Sequence, residues 1–94
     1  MEIKYTVVYH PKVIKEDIPN LNGAWKKKFH KAIEQKLSFS PSLYGKPLRN
    51  NLSGAFKLRV GDYRAIYQIN KNSVFIIAIK HRSVVYKELK RRVE

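Results

Sequence analysis

The sequence predicts an α+β fold in the order β-α-α-β-β-β-α: a mostly antiparallel four-stranded sheet, two N-terminal helices packed on one face, and a short C-terminal helix. Three observations predict it. Apolar residues recur every three or four positions in residues 22–37, alternate with polar residues on both sides of a Gly-Asp pair in residues 56–67, and run without interruption through residues 74–79. These patterns are typical of a helix, a hairpin and a buried strand. The 94 residues, 1–94, are expected to form one domain.

A strand and two helices are predicted before the hairpin. Residues 1–9 alternate as in a half-buried strand, Pro11 suits the first turn of a short helix, and Pro19 interrupts that helix. Asn22 is an expected N-cap for the longer second helix. The apolar face of the second helix consists of Trp25, Phe29, Ala32, Ile33 and Leu37.

The second half of the chain is predicted to supply the rest of the sheet. Residues 38–54, rich in Ser, Pro, Asn and Gly, predict an ordered connection, and Gly61-Asp62 predicts a two-residue hairpin turn of type II′ or I′. The apolar run 74–79 predicts a central strand that is buried on both faces.

A short final helix is expected after Ser83, with Val85 and Leu89 facing inward. The residues of this helix expected to face outward are Lys87, Lys90, Arg91 and Arg92. We expect the helices to gather on one face of the sheet.

Charge is the unusual feature of the composition. There are 20 Lys and Arg against 7 Asp and Glu, which gives a net charge of +13. Positive and negative residues balance in residues 1–23, so the whole excess lies in residues 24–94. Such a field favours a polyanion, and nucleic acid is the default partner because each neutralised phosphate releases condensed counterions. An anionic membrane, an acidic protein that sequesters the domain, or a merely solubilising surface would also be compatible with this charge.

The residue types that are missing exclude several kinds of site. The chain has no cysteine, which excludes disulfides, thiolate metal sites and cysteine nucleophiles, and neither a P-loop nor a dinucleotide fingerprint is present. His10 and His30 lack the spacing of a metal site, so we expect neither metal nor cofactor. The run 74–79 is too short to span a bilayer and residues 1–11 show no signal-peptide pattern, which predicts a cytoplasmic protein without a membrane partner.

The predicted hairpin carries the candidate site. With Gly61 and Asp62 in the turn, Arg59 lies opposite Arg64, and strand alternation puts Lys57, Arg59 and Arg64 on one face. Like charges placed opposite each other destabilise a strand pair by up to about 1 kcal/mol. We therefore interpret these cations as a phosphate site, since arginine binds phosphate through two parallel hydrogen bonds. The alternative is an ordinary solvent-facing surface with the guanidinium groups splayed apart.

The end of the last strand adds three polar residues, Lys80, His81 and Arg82, and Tyr86 follows them. Alternation predicts that Lys80 and Arg82 share a face opposite His81, provided that no bulge intervenes. His81 has the chemistry of a general acid or base, although a lone histidine at a strand end is more often structural.

Two segments resemble a known family: "YGKPLRNNLSGAFKLRVGDYRAIYQI", residues 44–69, and "VFIIAIKHRSVVYKEL", residues 74–89. Together with the preceding elements they resemble the RelE/ParE superfamily of prokaryotic toxin-antitoxin toxins over nearly the whole chain. The resemblance implies a metal-free ribonuclease of the RelE type. Such a toxin enters the ribosomal A site and cleaves mRNA by attack of a ribose 2′-OH on the adjacent phosphate. The implied partners are mRNA, the ribosome with its rRNA, and a cognate antitoxin that blocks the site, with DNA met only through the antitoxin complex.

Matched position by position, the resemblance implies two sets of residues. The implied catalytic residues are Lys57, Arg59, Arg64, Arg82 and Tyr86. The implied substrate-binding residues are Lys80, His81, Lys46 and Arg49. The two arginines of the hairpin would stabilise charge on the phosphate, and the tyrosine would stack on or orient a base.

Two assignments within these sets stay open. Lys57 would act as the base only in its neutral form, which surrounding cations favour, while Arg59 stands where some relatives have lysine and is a poor proton acceptor. Either Lys80 or Arg82 would be the cation at the end of the last strand.

Two other functions fit the same fold. One is a ParE-like inhibitor that blocks DNA gyrase by binding to it, and the other is a degenerate toxin retained as the antitoxin-binding half of a repressor complex. The set of cations favours the nuclease over both.

Overall fold

The structure, a computed structural model, describes residues 4–48 and 54–93, with only the backbone of Val93. In chain order its elements are β1 Thr6–Tyr9, the π-helical segment π1 Val13–Asp17, α1 Gly23–Ala32, its π-helical continuation π2 Ile33–Leu37, α2 Pro41–Tyr44, β2 Lys46–Pro47, β3 Ala55–Val60, β4 Tyr63–Asn70, β5 Ser73–His81 and α3 Val85–Val93. The predicted α+β class is confirmed. None of the helices in these two described stretches is long and apolar enough to cross a membrane.

One sheet contains all the strands, in the order β1-β5-β4-β3-β2. The pairs are antiparallel except β1 with β5, which is parallel, and β5 is central, as predicted from its continuous apolar run. The sheet has a fifth strand that we did not expect, because β2 lies inside the segment predicted to be a connection. Pro47, which has no N–H to donate, is tolerated in β2 because this strand lies at the edge of the sheet.

The β3–β4 hairpin has the predicted register, with Arg59 opposite Arg64. Gly61 is the first turn residue and has a φ of +61°, while Asp62 has no positive φ, as a type II′ turn requires. The ring of Trp25 in α1 packs over Gly61 and lies 4.7 Å, between ring centroids, from Tyr63. The start of α1 is fixed by the predicted cap, since the Asn22 side chain accepts a hydrogen bond from the Trp25 N–H at 3.0 Å. Helix α1 is therefore anchored on the tip of the hairpin.

The two faces of the sheet are covered by different helices, and we name the faces after them. On the α1 face, Leu58, Ala65 and Tyr67 pack in the larger core, which also contains Phe29, Ile33 and Leu37. On the α3 face, Val85 and Leu89 pack in a second core, which also contains Ala55, Ile66, Ile77 and Ala78. The expectation that all helices gather on one face is therefore wrong for α3. A central strand that is apolar on both faces needs a cover on each side.

A β-bulge changes which residues of β5 face α3. Ile66 pairs with Ala78 but Tyr67 pairs with Ile76, so Ile77 is the extra residue. Both Ile77 and Ala78 lie in the α3 core, and normal alternation resumes after them. If side chains alternated without interruption along β5, Lys80 would lie on the same face as Ile76, which is the α1 face.

Tyr67 fixes the segment that leads into β2. Its fully buried hydroxyl donates a hydrogen bond to the Pro41 carbonyl at 2.6 Å, and burial raises the pKa of this phenol to about 12. Gly45 packs so closely against the same ring that a Cβ there would overlap its hydroxyl end. This contact holds β2 beside β3, where Lys46 pairs with Lys57.

We predict that Gly61→Ala destabilises the protein by about 1–3 kcal/mol, because alanine is strained at this φ and its Cβ would overlap the Trp25 ring. Gly23→Ala is the matched control, since nothing lies within 4 Å of its added Cβ. That control should be neutral or stabilising by up to about 1 kcal/mol. Urea unfolding followed by circular dichroism measures both, and equal stabilities would contradict the role assigned to Gly61.

Candidate functional site

Five cations from the hairpin and its two neighbouring strands lie in two adjacent rows across the α3 face. Arg59, Arg64 and Lys80 form one row through successive cross-strand pairs, and Lys46 and Lys57 form the next. Directly paired residues share a face, so all five side chains project to the same side of the sheet. We call Lys57, Arg59 and Arg64 the basic cluster. These three residues share one face, as predicted, but α3 packs on that face, which we had expected to be free of helices.

The guanidinium group of Arg64 is partly oriented by the hairpin turn. Its Nη1 donates to the carbonyls of Gly61 at 3.0 Å and of Tyr63 at 2.9 Å. Within residues 4–48 and 54–93, Nη2 and Nε of Arg64 donate no hydrogen bond. Arg64 is thus held toward the turn and keeps donors available for a ligand.

The basic cluster differs in its ion pairing from Lys80, Arg91 and Arg92, which each contact a carboxylate. In the part of the chain that the structure describes, no Asp or Glu forms an ion pair with Lys57, Arg59 or Arg64. Arg59 is exposed, and the other two are half-buried. The cluster therefore lacks a negative partner from the described residues.

Arg82 follows the end of β5, and Tyr86 lies in α3. The Arg82 N–H donates to the Asp62 carbonyl at 2.8 Å, which holds Arg82 beside the hairpin turn with its side chain exposed. Tyr86 lies in the first turn of α3 and is 42% exposed. Because α3 covers the α3 face, Tyr86 lies on the same side of the sheet as the basic cluster.

Lys80 faces the same side but is already paired. Its Nζ lies 3.2 Å from Oδ1 of Asp17 in π1. Arg92 of α3 donates to the two oxygens of Asp17 at 2.6 and 2.8 Å, and to Glu88 at 3.2 Å. The Ile79 N–H donates to Asp17 at 2.9 Å. We call Asp17, Lys80, Glu88 and Arg92 the Asp17 network.

Sequence reasoning missed the role of Asp17 and was wrong about Arg92, which we expected to face solvent. Both side chains have 0% exposure. Burial by itself would raise the pKa of Asp17, but hydrogen bonds from Arg92, the Ile79 N–H and Lys80 outweigh it and lower that pKa. The hydrogen bonds from Arg92 to Asp17 and Glu88, together with the charges of these two acids, raise the pKa of Arg92, so the pair stays ionised. The one available signal was Asp17 itself, an acid in an otherwise apolar helical face with Val13 and Ile18.

The remaining predicted residues lie elsewhere. His81 points to the α1 face, as alternation predicted, with its ring edge-on to Tyr63 at 5.5 Å and its Nδ1 accepting from the Ser83 N–H at 3.1 Å. The sheet thus separates it from the basic cluster, and its assignment to substrate binding is not supported by its position. Arg49 lies outside the described residues. Across residues 4–48 and 54–93, no three His, Asp or Glu side chains are grouped to hold a metal ion.

Comparison with known proteins identifies similar toxins. Residues 7–86 match a family model described as the ParE toxin of type II toxin-antitoxin systems, parDE. Two curated proteins of Mycobacterium tuberculosis are similar to this chain. Toxin RelG is 42% identical over 53 residues, which cover 54% of this chain and 61% of RelG. Toxin RelE is 46% identical over 50 residues, which cover 51% of this chain and 52% of RelE. The chain therefore matches between half and two thirds of the length of these relatives.

A solved structure shares the fold over most of its length. The crystal structure of the toxin-antitoxin complex RelBE2 from Mycobacterium tuberculosis contains a chain that is 31% identical to this one. It aligns with a TM-score of 0.78 and covers 86% of this chain and 94% of its own.

The lowered pKa of Asp17 predicts a specific pH dependence of stability. A carboxyl whose folded pKa lies below its ordinary value of 3.8 stabilises the fold above pH 3.8, and this contribution is lost as the pH falls through the folded pKa. We predict that Asp17→Asn lowers the free energy of unfolding by about 3 kcal/mol at pH 7, because Arg92 then lacks its buried counter-charge. The difference from the parent should shrink below about pH 4.

Glu16→Gln is the control for this prediction, because Glu16 is the exposed neighbour of Asp17 in the same segment. Urea unfolding of the three proteins from about pH 2.5 to about pH 7 covers both sides of the ordinary carboxyl pKa. It distinguishes a stability difference that shrinks in acid from one that stays constant. A constant difference between Asp17→Asn and the parent across this range would contradict the assigned pKa direction.

Proposed function

The chain belongs to the RelE/ParE superfamily of toxins of type II toxin-antitoxin systems, and we propose that it is a ribosome-dependent mRNA endoribonuclease. The observation that carries the proposal is the pairing of Arg59 with Arg64 on an accessible face, with Lys57 in the next row. Like charges paired in this way destabilise a sheet. A phosphate bound between them would supply the negative charge that the described residues do not provide.

The contrast with the Asp17 network supports this assignment. The protein pairs Arg92 and Lys80 with carboxylates in its interior, whereas Arg59 and Arg64 face each other without an acidic partner among the described residues. An anionic membrane is a weaker partner for this site, because three cations of a single hairpin match one phosphodiester better than a broad charged surface.

The proposed reaction is cleavage by internal transfer. The ribose 2′-oxygen attacks the adjacent phosphorus and its proton passes to a base. The bond to the 5′-oxygen breaks and this oxygen takes a proton from water, which leaves a 2′,3′-cyclic phosphate and a 5′-hydroxyl. Negative charge grows on the phosphate oxygens during this step, and Arg59 and Arg64 would stabilise it. Lys57, one row away, is our candidate for the base, since it is half-buried on the same face of the sheet as the two arginines.

Arg82 and Tyr86 complete the proposed site. We assign to Arg82 the role of the cation that assists the leaving oxygen, because Lys80 already forms an ion pair with Asp17. The exposed ring of Tyr86 would stack on a base and orient the nucleotide for in-line attack. Lys46, paired with Lys57 at the edge of the sheet, would contact a flanking phosphate.

We also propose that a cognate antitoxin is the second partner of this chain. RelBE2, a toxin-antitoxin complex, contains a chain of the same fold. A protein with a net charge of +13 favours an acidic partner that covers the basic cluster. Action on ribosomes would take place in the cytoplasm, in agreement with the location expected from the sequence.

A gyrase inhibitor is the second candidate, because the matching family model is described as ParE. Such a protein would act by binding alone. The basic cluster favours the nuclease, since binding to gyrase does not need two facing arginines. A degenerate toxin that only binds antitoxin is the third candidate.

The nuclease proposal predicts A-site cleavage of a defined mRNA on purified ribosomes, mapped by primer extension. Arg64→Ala should lower kcat by about 10²- to 10³-fold, the usual effect of removing one donor to a developing negative charge. Lys57→Ala should lower it by about 10- to 100-fold, as expected for a general base whose role water can partly take.

Arg91→Ala serves as the matched control, because Arg91 is an exposed arginine whose removal changes the net charge equally. It should cleave like the parent, and circular dichroism should show all variants folded. Intact mRNA together with inhibited DNA supercoiling by gyrase would select the ParE-type function. Intact mRNA with normal supercoiling would select the degenerate toxin.

Binding to single-stranded RNA should weaken steeply with salt. The logarithm of the association constant should fall with the logarithm of salt concentration with a slope of about −0.7 for each phosphate contact. Arg59→Ala should make this slope less steep by about 0.7, and Arg91→Ala should leave it unchanged. Fluorescence anisotropy of a labelled oligonucleotide measures the slope, and a flat salt dependence of the parent would contradict an RNA site at the basic cluster.

A further inference from the structure

The outer edge of β5 is only half covered by another strand. Strand β1 pairs with β5 from Ser73 to Ile76, and the His10 N–H adds a hydrogen bond to the Ile76 carbonyl at 2.8 Å. Strand β5 continues to His81, so the backbone groups beyond Ile76 need other partners.

Two side chains replace the missing strand. Asp17 accepts from the Ile79 N–H at 2.9 Å, and Arg92 donates to the Ile77 carbonyl at 2.9 Å. Ile77 is the bulge residue of β5. The pair formed by Asp17 and Arg92 therefore lies against the part of β5 that determines which face receives Lys80.

The Asp17 network connects three elements that are far apart in the sequence. Asp17 lies in π1, Lys80 in β5, and Glu88 and Arg92 in α3. Its two acids and two cations balance, so the network buries no net charge. These contacts hold both Lys80 and helix α3 in place. Lys80 pairs across the strands with Arg64, and α3 carries Tyr86.

We propose that Asp17 is a positioning residue, which fixes α3 on the sheet and thereby positions Tyr86 on the face that carries the basic cluster. This inference rests on the proposed function. Val85 and Leu89 supply apolar contact for α3, but apolar contact alone is not directional, whereas the paired hydrogen bonds from Arg92 to Asp17 fix the orientation of the helix. A displacement of Tyr86 by about 1 Å is enough to reduce catalysis up to 100-fold.

The position of α3 can be measured without reference to catalysis. Since the chain has no cysteine, Lys31→Cys in α1 and Lys90→Cys in α3 give two unique sites for spin labels on exposed residues. Double electron-electron resonance should give a narrow distance distribution for the parent. Asp17→Asn should broaden or shift this distribution, and the exposed neighbour variant Glu16→Gln should not.

Kinetics then test whether the position of α3 acts through Tyr86. Asp17→Asn should lower kcat about 10- to 100-fold with little change in KM. Asp17→Asn should have no further effect on kcat in a Tyr86→Ala background, because the ring whose position it disturbs is already missing. Its effect should multiply with the effect of Arg64→Ala, because that residue acts independently. Should Asp17→Asn fail to fold, Asp17→Asn combined with Arg92→Met removes the unpaired buried charge and takes its place.

The outcomes separate this proposal from the proposed function. A parent protein that leaves mRNA intact on ribosomes refutes the nuclease and, with it, any catalytic role of Asp17. A parent that cleaves, with unchanged distances in the Asp17 variant or with effects of Asp17→Asn and Tyr86→Ala that simply multiply, refutes the positioning role alone.

Discussion

One buried carboxylate connects the parts of this protein that matter for its candidate site. Asp17 binds Arg92 of α3 through both oxygens, meets the ammonium of Lys80 and satisfies a backbone N–H on the open edge of β5. Removing a charged group from water costs free energy unless it is well oriented toward an opposite charge and its other hydrogen bonds are made. Asp17 meets both conditions. The position of α3 on the sheet, and hence the shape of the site, depends on this interaction.

Two groups of cations near the α3 face have different environments. In the Asp17 network each cation has an acidic partner, and the two acids bring the buried charge to zero. On the hairpin, Arg59 faces Arg64 and neither forms an ion pair in the described residues. The first group neutralises its charge inside the fold, and we propose that the second binds phosphate, since facing like charges do not stabilise a strand pair. This division is the main physical support for a function in RNA binding.

Sequence reasoning succeeded where the structure follows from local geometry. The turn at Gly61 and a strand period of two were enough to give the register that pairs Arg59 with Arg64. It failed for β2, because two residues are too few to show any alternation, and it did not find the bulge at Ile77, which leaves an apolar run looking regular. It also placed Arg92 in solvent, since a charged residue at the end of a basic helix gives no sign of a buried partner.

By itself, the sequence determined the fold class, the hairpin and its facing arginines, and a surplus of positive charge in residues 24–94. The tertiary structure decided which of these cations are accessible. Asp17 and Arg92 are 75 positions apart, and no pattern within a helix or strand reports a contact between residues so distant in sequence. Only the packing of π1, β5 and α3 together shows that Lys80 is held by a carboxylate while Arg59 and Arg64 are not, because ion pairing depends on distance in space.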